Sequence, residues 1–405
     1  MNIVIIGLGY VGLPLAVQAA KSGFTVTGFD IDTFKVADLE RGRSILPEIN
    51  SQELLELIKS SKLCFTSKLE KQANSSIFVI AVPTPLNQER EPDLTMLEAA
   101  CLTIAEVVQD GDLVINESTS YIGTLRNFIK PIIQKESSLI NLKFAVAPER
   151  IDPGNKIWSI TNTPRNVAGL TSEAGREVVK FYEKISNEVH LRTNPEEVEA
   201  AKLIENAFRQ VNIAFINEVA KLATKLDFSI HNAINAASTK PFGFMPFYPS
   251  IGVGGHCIPV DSHYLTYSAK KVDMQLESVD FANKLNLSMA NFIVEEIRQK
   301  YNFDFKDKLI QIAGIAYKSN SSDIRESPAL ALIELIRSMG ARVIWHDSLV
   351  NTFGNEKSVD LQANIDMGII ISPHDEMDFS IWKDQNKLVL DLSPTPRNFG
   401  WNKFI

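Results

Sequence analysis

The sequence predicts an α/β protein in which two doubly wound domains of parallel strands are joined by a long central helix. The run IVIIGLGYVG near the N terminus has the order of a short strand, a glycine-rich turn and a helix. Residues 196–227 follow a helical pattern, and beyond residue 300 apolar strands alternate with helix again. Because strands that alternate with helices form parallel sheets, both ends of the chain are expected to be Rossmann-like.

Length and composition limit the number of domains and the kinds of partner. A chain of 405 residues exceeds what one hydrophobic core usually organises. The changes in pattern predict a Rossmann-like domain at 1–195, a central helical domain at 196–299 and a second Rossmann-like domain at 300–405. With 49 acidic and 41 basic residues the net charge is −8, which argues against nonspecific binding to nucleic acid or to an anionic membrane.

The cysteines indicate a reducing compartment. Cys64, Cys101 and Cys257 are too few and too scattered for a disulfide framework or a zinc site. We therefore expect a cytoplasmic protein without a bound metal, in which Cys257 is available as a thiol.

One apolar stretch, residues 3–20, has about the length of a membrane-spanning helix. Two features argue against that reading. No basic segment precedes the stretch, and glycine and proline interrupt it where a strand would turn into a helix. No membrane association is expected.

The glycines at the N terminus have the spacing G-x-G-x-x-G of a dinucleotide-binding turn. Gly7 permits the tight turn, Gly9 lets backbone amides approach a pyrophosphate, and Gly12 lets the helix pack closely against the sheet. The next strand ends in Asp30, at the position where an acid binds the adenosine ribose hydroxyls. An acid there repels a 2′-phosphate and favours NAD over NADP, although Lys35 lies nearby. A βαβ unit that binds nothing is the alternative.

Polar residues collect where the later strands of the first domain end. In an open parallel sheet this edge carries the ligand site, so the residues are expected to line a cleft. Any one of them could instead be an ordinary helix cap or turn residue. The residues are Thr84, Glu117, Ser118, Thr119, Glu149 and Arg150.

The long helical pattern is apolar around much of its circumference, which predicts a spine between two domains and a dimer seam. Lys202 and Asn206 lie four residues apart and so share one face. An ordinary solvated lysine is the alternative reading of Lys202. In the second α/β unit, Lys318 and Arg325 fall in a strand-to-helix loop, where cations would bind a phosphate. The alternative is an ordinary solvated polar loop.

Cys257 lies in the loop GVGGHCIPVD. Free cysteines are often small buried apolar residues, and that is one reading. Against it, Gly252, Gly254 and Gly255 would bring backbone amides close to a ligand, and Asp261 follows four residues later. The loop therefore favours a nucleophilic thiol.

Taken together, the motifs resemble the UDP-glucose/GDP-mannose dehydrogenase family over nearly the whole chain. They are IVIIGLGYVGLPLA, VPTP, ESTSYIGT, APERIDPG, KLIENAFRQVNIAFINE, GVGGHCIPVD and AYKSNSSDIRESPA. GGHC and Pro-Glu-Arg resemble the branch that acts on UDP-N-acetylhexosamines, and KPFGFMPFYP resembles the UDP-N-acetyl-D-glucosamine 6-dehydrogenases. Ser250-Ile251 and Ser262 depart from that group at the edge of the substrate loop, which leaves the sugar epimer open.

The resemblance implies a four-electron oxidation that carries a primary alcohol through an aldehyde to a carboxylate with two NAD. By this resemblance Cys257 holds the aldehyde as a thiohemiacetal and then a thioester, which water hydrolyses. Lys202 and Asn206 would steady the developing oxyanion. Asp261, Thr119 and Glu149 would position or deprotonate the alcohol and the hydrolytic water.

The resemblance also implies binding residues and a homodimer formed through the central helices. Arg150 would select the N-acetylhexosamine, Lys318 would contact the UDP group, and Arg325 is a further candidate there. The remaining predicted binding residues are, for NAD, Tyr10, Val11, Pro83, Thr84, Ser118 and Thr119, and, for the substrate, Glu149, Lys202, Asn206, Tyr248, Gly254 and Gly255.

Three alternatives remain at this point. The substrate could be UDP-N-acetylmannosamine or UDP-N-acetylgalactosamine, because one epimeric carbon changes a contact or two rather than a motif. The fold could serve a noncatalytic nucleotide-binding subunit, which the joint presence of Cys257, Lys202, Asn206 and Asp261 disfavours. A one-step hydroxyacid dehydrogenase would not need Cys257 and would yield one NADH.

Overall fold

The chain forms two compact units, Met1–Ile204 with His263–Val272, and Glu205–Ser262 with Asp273–Ile405. The three-domain division remains a prediction. The end of the motif APERIDPG, residues 152–154, lies outside the described residues. The structure, a computed structural model, describes residues 2–44, 46, 49–151, 157–383, 387–394, 401 and 403–405.

Within the described residues of the first unit, eight strands form one sheet. The strands are β1 (Asn2–Ile6), β2 (Thr25–Phe29), β3 (Leu63–Thr66), β4 (Ser76–Ile80), β5 (Leu113–Asn116), β6 (Lys143–Val146), β7 (Arg165–Gly169) and β8 (Val189–Leu191). They pair in the order β3-β2-β1-β4-β5-β6-β7-β8, and the first six are parallel. The order reverses between β1 and β4, beside which a ligand crevice forms in such sheets.

Helices cover both faces of this sheet. Ile3 and Ile5 of β1 belong to one buried cluster, whereas Val4 and Ile6 belong to another. Because side chains alternate along a strand, β1 is buried on both faces, as its unbroken apolar run predicts. The helices are α1 (Gly12–Lys21), α2 (Thr33–Glu40), α3 (Ser51–Lys59), α4 (Thr95–Val107), a π-helical turn (Leu125–Ile129) that continues into α5 (Lys130–Ser137), and α6 (Ser172–Tyr182).

β7 and β8 were not predicted from the sequence. β7 begins with the charged residue Arg165 and runs antiparallel to β6, and β8 has three residues that are half-buried or exposed. Neither strand shows a long apolar run, which is the signal that predicted the other strands.

Four helices follow, among them the predicted long central helix. They are α7 (Pro195–Leu226), α8 (Ile230–Ala237), α9 (Ile258–Lys270) and α10 (Glu277–Tyr301). No helix in the described part of the chain combines the length and apolar content needed to cross a membrane.

The second unit contains a parallel sheet in the order β10 (Arg342–His346), β9 (Leu309–Ala313), β13 (Met367–Ile370) and β14 (Leu388–Asp391), with α11 (Pro328–Ser338) packed near it. This confirms the predicted fold class. The apolar run in the sequence predicts a strand from Leu309 to Tyr317, which is too long. The strand ends at Ala313, because Gly314 has φ of +81° and turns the chain against the main chain of Ser372. The elements are β9 (Leu309–Ala313), α11 (Pro328–Ser338), β10 (Arg342–His346), β11 (Thr352–Phe353), β12 (Glu356–Lys357), β13 (Met367–Ile370), α12 (Ser380–Lys383) and β14 (Leu388–Asp391).

Candidate active site

A glycine-rich turn joins β1 to α1. Gly7 has φ of +96°, and a Cβ there would lie 2.6 Å from the Ala81 carbonyl oxygen. A Cβ on Gly12 would lie 1.9 Å from the Gly7 carbonyl oxygen. A Cβ on Gly9, in contrast, would meet no described atom within 4 Å. Packing therefore requires Gly7 and Gly12, whereas Gly9 faces open space where a ligand can approach the backbone.

This difference predicts opposite outcomes for two alanine substitutions. Gly12→Ala is expected to lower the free energy of unfolding of the first unit by on the order of 2–3 kcal/mol, because the new methyl group meets backbone. Gly9→Ala is expected to fold normally but to weaken NAD binding at least about tenfold. Thermal unfolding and NAD titration of both variants check this. If Gly9→Ala bound NAD with wild-type affinity, the assignment of Gly9 to the cofactor site would be wrong.

The start of α1 has the features of a phosphate site. Val11 occupies the N-cap and makes no side-chain capping hydrogen bond to the first-turn amides. Such amides form the positive end of the helix dipole and bind phosphate groups. Tyr10 in the same turn is half exposed. The assignment of Gly9, Tyr10, Val11 and Gly12 to the pyrophosphate of NAD remains a prediction.

Asp30 is buried and holds this turn together. Its Oδ2 accepts from the Leu8 amide at 2.9 Å and from Lys35 Nζ at 2.8 Å, and its Oδ1 accepts from the Asp32 amide at 3.0 Å. Burial alone would raise the pKa of Asp30, but these donors outweigh it and lower the pKa. Asp30 is thus an ionised carboxylate, and Lys35 is its ion-pair partner.

The predicted polar residues after β4 and β5 are mostly buried. Ser118 donates to the Val82 carbonyl oxygen at 2.8 Å, and the carbonyl oxygen of Thr84 accepts from the Tyr264 hydroxyl at 3.2 Å. Thr119 is half-buried, and Pro83 is exposed.

Glu117 and Glu149, which follow β5 and β6, share the guanidinium group of Arg165. Arg165 Nη1 donates to Glu117 Oε1 at 2.8 Å, and Nη2 donates to Glu149 Oε2. The Tyr182 hydroxyl donates to Glu117 Oε1 as well. Burial raises the pKa of Glu117 to about 7, against the lowering effect of Arg165. The Glu117 side chain therefore titrates near neutral pH.

Lys202 of α7 reaches the segment after β6. Its Nζ donates to the Glu149 carbonyl oxygen at 2.5 Å, so Lys202 is not an ordinary solvated lysine. The next residue, Arg150, donates from Nη1 to the Pro164 carbonyl oxygen at 2.9 Å. The structure thus brings three predicted residues, Glu149, Arg150 and Lys202, into one region of the first unit.

Glu199, one turn before Lys202, fixes α7 to the segment after β5. Its carboxylate accepts from the Gly123 amide at 2.6 Å and from the Leu125 amide at 2.9 Å. Burial raises the pKa of Glu199 to about 7, although both amides lower it.

Glu199→Gln is expected to flatten the pH dependence of stability. Because its folded pKa lies above the usual 4.5, Glu199 keeps a proton that the unfolded chain releases between pH 4.5 and 7. The free energy of unfolding therefore falls as pH rises through this window, by on the order of 3 kcal/mol for this group. Glutamine cannot titrate. Urea unfolding at about pH 5 and about pH 7.5 measures the change in the free energy of unfolding with pH. The same change in variant and wild type would contradict a raised pKa of Glu199.

In the second unit, the glycines before Cys257 pack against neighbouring side chains. A Cβ on Gly254 would lie 2.7 Å from Pro328 Cδ, and one on Gly255 would lie 2.8 Å from the Tyr317 ring. The Gly255 amide donates to the Arg325 carbonyl oxygen at 3.1 Å. Packing of the loop therefore requires glycine at positions 254 and 255.

Cys257 is exposed at the start of α9, so the buried, apolar reading of this cysteine does not hold. Its carbonyl oxygen accepts from the Asp261 amide at 2.8 Å, which is the first intrahelical hydrogen bond. A thiol at a helix N terminus is favoured in its thiolate form by the helix dipole.

Asn206 and Asp261 are in direct contact. Asn206 and Asp261 are both 2% exposed, and Asn206 Nδ2 donates to Asp261 Oδ2. Arg209 donates in turn to Asn206 Oδ1. Since Asp261 lies one helical turn from Cys257, the second unit brings three predicted catalytic residues, Asn206, Cys257 and Asp261, together.

The predicted UDP loop carries two cations, Lys318 and Arg325, and both have neighbours within the loop. Arg325 donates to both carboxylate oxygens of Asp323, with Nη2 at 2.6 Å from Oδ2. Lys318 Nζ lies 5.6 Å from the centre of the Tyr317 ring. Burial and, next, the charge of Arg325 lower the pKa of His256, so this histidine is neutral at pH 7.

Tyr248 lies against α8. Its ring stacks on His231 with centroids 5.5 Å apart, and its hydroxyl donates to Asn235 Oδ1 at 3.3 Å. It lines a cavity of about 650 Å³ within the second unit, together with Lys300 and Phe404. In the described part of the chain no group of three or more His, Cys, Asp or Glu residues could hold a metal ion.

Three segments of the chain match, in order, the domains of one family. Residues 1–186 match the NAD binding domain of the UDP-glucose/GDP-mannose dehydrogenase family, residues 196–288 its central domain, and residues 311–395 its UDP binding domain. The chain belongs to the UDP-glucose/GDP-mannose dehydrogenase family. This confirms the predicted family, the oxidoreductase class and the NAD cofactor.

Relatives of this dehydrogenase carry different substrate names. It is 34% identical to the UDP-N-acetyl-D-glucosamine 6-dehydrogenase of Pseudomonas aeruginosa over 87% of this chain and 83% of the relative. It is also 34% identical to the UDP-N-acetyl-D-mannosamine dehydrogenase of Pyrococcus horikoshii, over 96% of this chain and 95% of the relative.

Solved structures share the fold of this dehydrogenase. The UDP-D-ManNAc dehydrogenase of Pyrococcus horikoshii superposes with a TM-score of 0.89 at 32% identity, covering 99% of this chain and 98% of that one. The UDP-N-acetyl-mannosamine dehydrogenase Cap5O of Staphylococcus aureus superposes with a TM-score of 0.84 at 26% identity, covering 97% and 94%.

Four residues that hydrogen-bond to predicted residues or anchor their segments were not predicted: Arg165, Tyr182, Glu199 and Arg209. Glu199 and Arg209 had a signal, because each lies three residues from a predicted residue on the same helix, Lys202 and Asn206. Arg165 and Tyr182 had none, because both belong to elements outside the recognised motifs.

Proposed function

We propose that this dehydrogenase oxidises the primary alcohol of a UDP-N-acetylhexosamine, UDP-N-acetylglucosamine in the first instance, to the uronic acid. The observation that carries the proposal is the contact between Asn206 and Asp261 one helical turn from the exposed thiol of Cys257. The reaction balances as one alcohol, two NAD⁺ and one water giving one carboxylate, two NADH and three protons. The matched NAD and UDP binding domains and both substrate names among the relatives support it.

Cys257 is assigned the covalent steps. NAD, when bound, supplies the acceptor for the hydride removed in each oxidation. The Cys257 thiolate attacks the aldehyde carbon, and a C–S bond forms to give the thiohemiacetal. Oxidation of that carbon leaves a thioester on Cys257, and water then breaks the C–S bond, which frees the carboxylate and restores the thiol. The aldehyde therefore does not leave between the two oxidations.

Of the contacting residues Asn206 and Asp261, Asp261 is the proposed general base. Its contact with Asn206 fixes the carboxylate beside the first turn of α9, and Asn206 steadies the developing oxyanion together with Lys202. The Glu149 carboxylate meets three donors, namely Arg165 and the amides of its own segment, which favours positioning over proton abstraction. Thr119 is proposed to orient the water.

The binding residues are proposed in two groups. For NAD we assign the glycine turn with Asp30 and Lys35, and also Pro83, Thr84, Ser118 and Thr119. For the substrate, Lys318 contacts the UDP group, and Arg325 joins it where a phosphate displaces Asp323. The substrate group is completed by Glu149, Arg150, Lys202, Asn206, Tyr248, Gly254 and Gly255.

UDP-N-acetylmannosamine is a second candidate substrate, because the mannosamine and glucosamine relatives are equally identical to this chain. The test is NADH formation with UDP-glucose and each UDP-N-acetylhexosamine, with the product identified by mass spectrometry. We expect turnover with a UDP-N-acetylhexosamine, two NADH per substrate and a uronic acid product. Preference for UDP-glucose would contradict the role of Arg150, one NADH would favour the one-step dehydrogenase, and none with any sugar would favour a noncatalytic subunit.

The central helix provides a surface for a homodimer, and a cytoplasmic location is part of the same proposal. Phe208, Phe215 and Leu222 repeat every seven residues on α7 and are 47%, 58% and 54% exposed. An apolar stripe at this spacing fits a second copy of the same helix.

Phe215→Glu is expected to convert the dimer into a monomer, because it places a charge in the middle of the stripe. Sedimentation velocity of wild type and variant measures this. The control is a charge reversal at an exposed residue outside α7, Lys306→Glu, which is expected to stay dimeric. A monomeric wild-type protein would contradict the proposed homodimer through α7.

A further inference from the structure

We propose that Arg165 is a positioning residue of the proposed reaction: by holding Glu149 it fixes the main chain that receives Lys202. The inference rests on the proposed function for its kinetic consequence. Its structural consequence, the setting of Lys202, is independent of the substrate.

The side chain of Arg165 is 3% exposed at the first residue of β7. Its guanidinium group makes two separate bonds, from Nη1 to Glu117 Oε1 at 2.8 Å and from Nη2 to Glu149 Oε2. The guanidinium carbon also lies 4.7 Å from the centre of the Tyr182 ring. A planar fork of donors can serve two carboxylates at once, which a lysine ammonium cannot do in the same fixed geometry.

The Glu149 side chain, held by Arg165, also binds the backbone of its own segment. While Oε2 is held by Arg165, Oε1 accepts from the Arg150 amide at 2.6 Å and from the Ile151 amide at 2.7 Å. The side chain is therefore folded back over its own segment. The carbonyl oxygen of the same residue accepts from Lys202 Nζ at 2.5 Å. A continuous series of hydrogen bonds thus runs from Arg165 through Glu149 to Lys202.

Glu117 balances the charge of this cluster. Its Oε2 is buried and makes no hydrogen bond to any described residue, so Glu117 contributes one engaged oxygen, shared by Arg165 and Tyr182. Glu117 and Tyr182 therefore contact the guanidinium group through atoms that do not belong to Glu149. Removing the Tyr182 hydroxyl leaves the bond between Arg165 and Glu149 in place, which supplies a matched control.

Arg165→Lys keeps the charge but loses the fork. We expect kcat with the preferred UDP-sugar to fall at least about tenfold, while KM for the sugar and for NAD each change less than about threefold. Tyr182→Phe is expected to stay within about twofold of wild type in kcat. A wild-type kcat in folded Arg165→Lys, or an equal loss in Tyr182→Phe, would overturn the proposal.

Labelling of lysines needs no substrate and separates this proposal from the proposed function. In competitive acetylation read by mass spectrometry, the rate at Lys202 relative to exposed Lys62 is expected to rise at least about threefold in Arg165→Lys and to be unchanged in Tyr182→Phe. If wild type oxidised no UDP-sugar but Lys202 responded in this way, the proposed function would fail and the assignment of Arg165 would stand. No change at Lys202 would overturn the assignment.

A second variant tests the proposal if Arg165→Lys does not fold. The double variant Arg165→Gln with Glu117→Gln exchanges a buried ion pair for two neutral amides and leaves no unpaired charge at position 117. The same changes in kcat and in Lys202 labelling are expected. Failure of both variants to fold would contradict a positioning role, since the cluster would then serve the stability of the fold.

Discussion

Replacing Cys257 by serine is expected to reduce uronic acid formation at least about a thousandfold while leaving NAD binding intact. Serine occupies nearly the same volume, and Cys257 is exposed at the start of α9, so the fold is expected to be retained. An alkoxide is a far scarcer nucleophile than a thiolate at neutral pH, so the aldehyde is no longer captured efficiently. The measurements are NADH formation, NAD titration and mass spectrometry of the products.

Cys64→Ser is the matched control, because Cys64 is also an exposed cysteine but lies in β3 of the first unit. We expect wild-type turnover from it. Full conversion to the acid by Cys257→Ser would show that the thiol is not required.

Asp261→Asn is expected to lower kcat by about a hundredfold or more with little change in thermal stability. The asparagine side chain has the same shape, and its amide oxygen can still accept from Asn206 Nδ2. The substitution therefore removes the charge and the basicity of the carboxylate while keeping the contact. Steady-state kinetics together with the unfolding temperature separates a lost base from a lost fold.

Asp273→Asn serves as the control for Asp261→Asn. Asp273 is exposed and has φ of +56°, a backbone conformation that asparagine also tolerates. The Asp273→Asn variant is expected to keep the wild-type kcat. Equal activity of Asp261→Asn and Asp273→Asn would exclude Asp261 as the base.

The sequence predicted the elements whose signals are local. The strand β1, its glycine turn and α1 depend on apolar runs and on Gly7 and Gly12, whose close approaches require glycine. β9 was predicted too long because Ile315 and Ala316 continue an apolar run, although Gly314 already turns the chain. Apolar composition does not show where a strand ends when the following loop is also buried.

The candidate site was predicted where its residues lie in motifs or share a helix turn. Lys202, Asn206 and Asp261 fall in this class, and each makes a side-chain hydrogen bond in the structure. Arg165 was missed because its partners, Glu117 and Glu149, lie 48 and 16 residues away in the chain. Pairings over such distances are decided by the order of strands in the sheet, which no local pattern reports.

If Cys257 carries the half-oxidised sugar, acid quenching during turnover should trap the covalent adduct. Peptide mass spectrometry of the quenched enzyme is expected to find the sugar nucleotide attached to the peptide that contains Cys257, and none on the peptide that contains Cys64. The adduct should disappear after the substrate is consumed, with two NADH formed per uronic acid. Turnover to the acid with no adduct at Cys257, or with free aldehyde accumulating at one NADH per sugar, would show that Cys257 does not hold the sugar between the two oxidations.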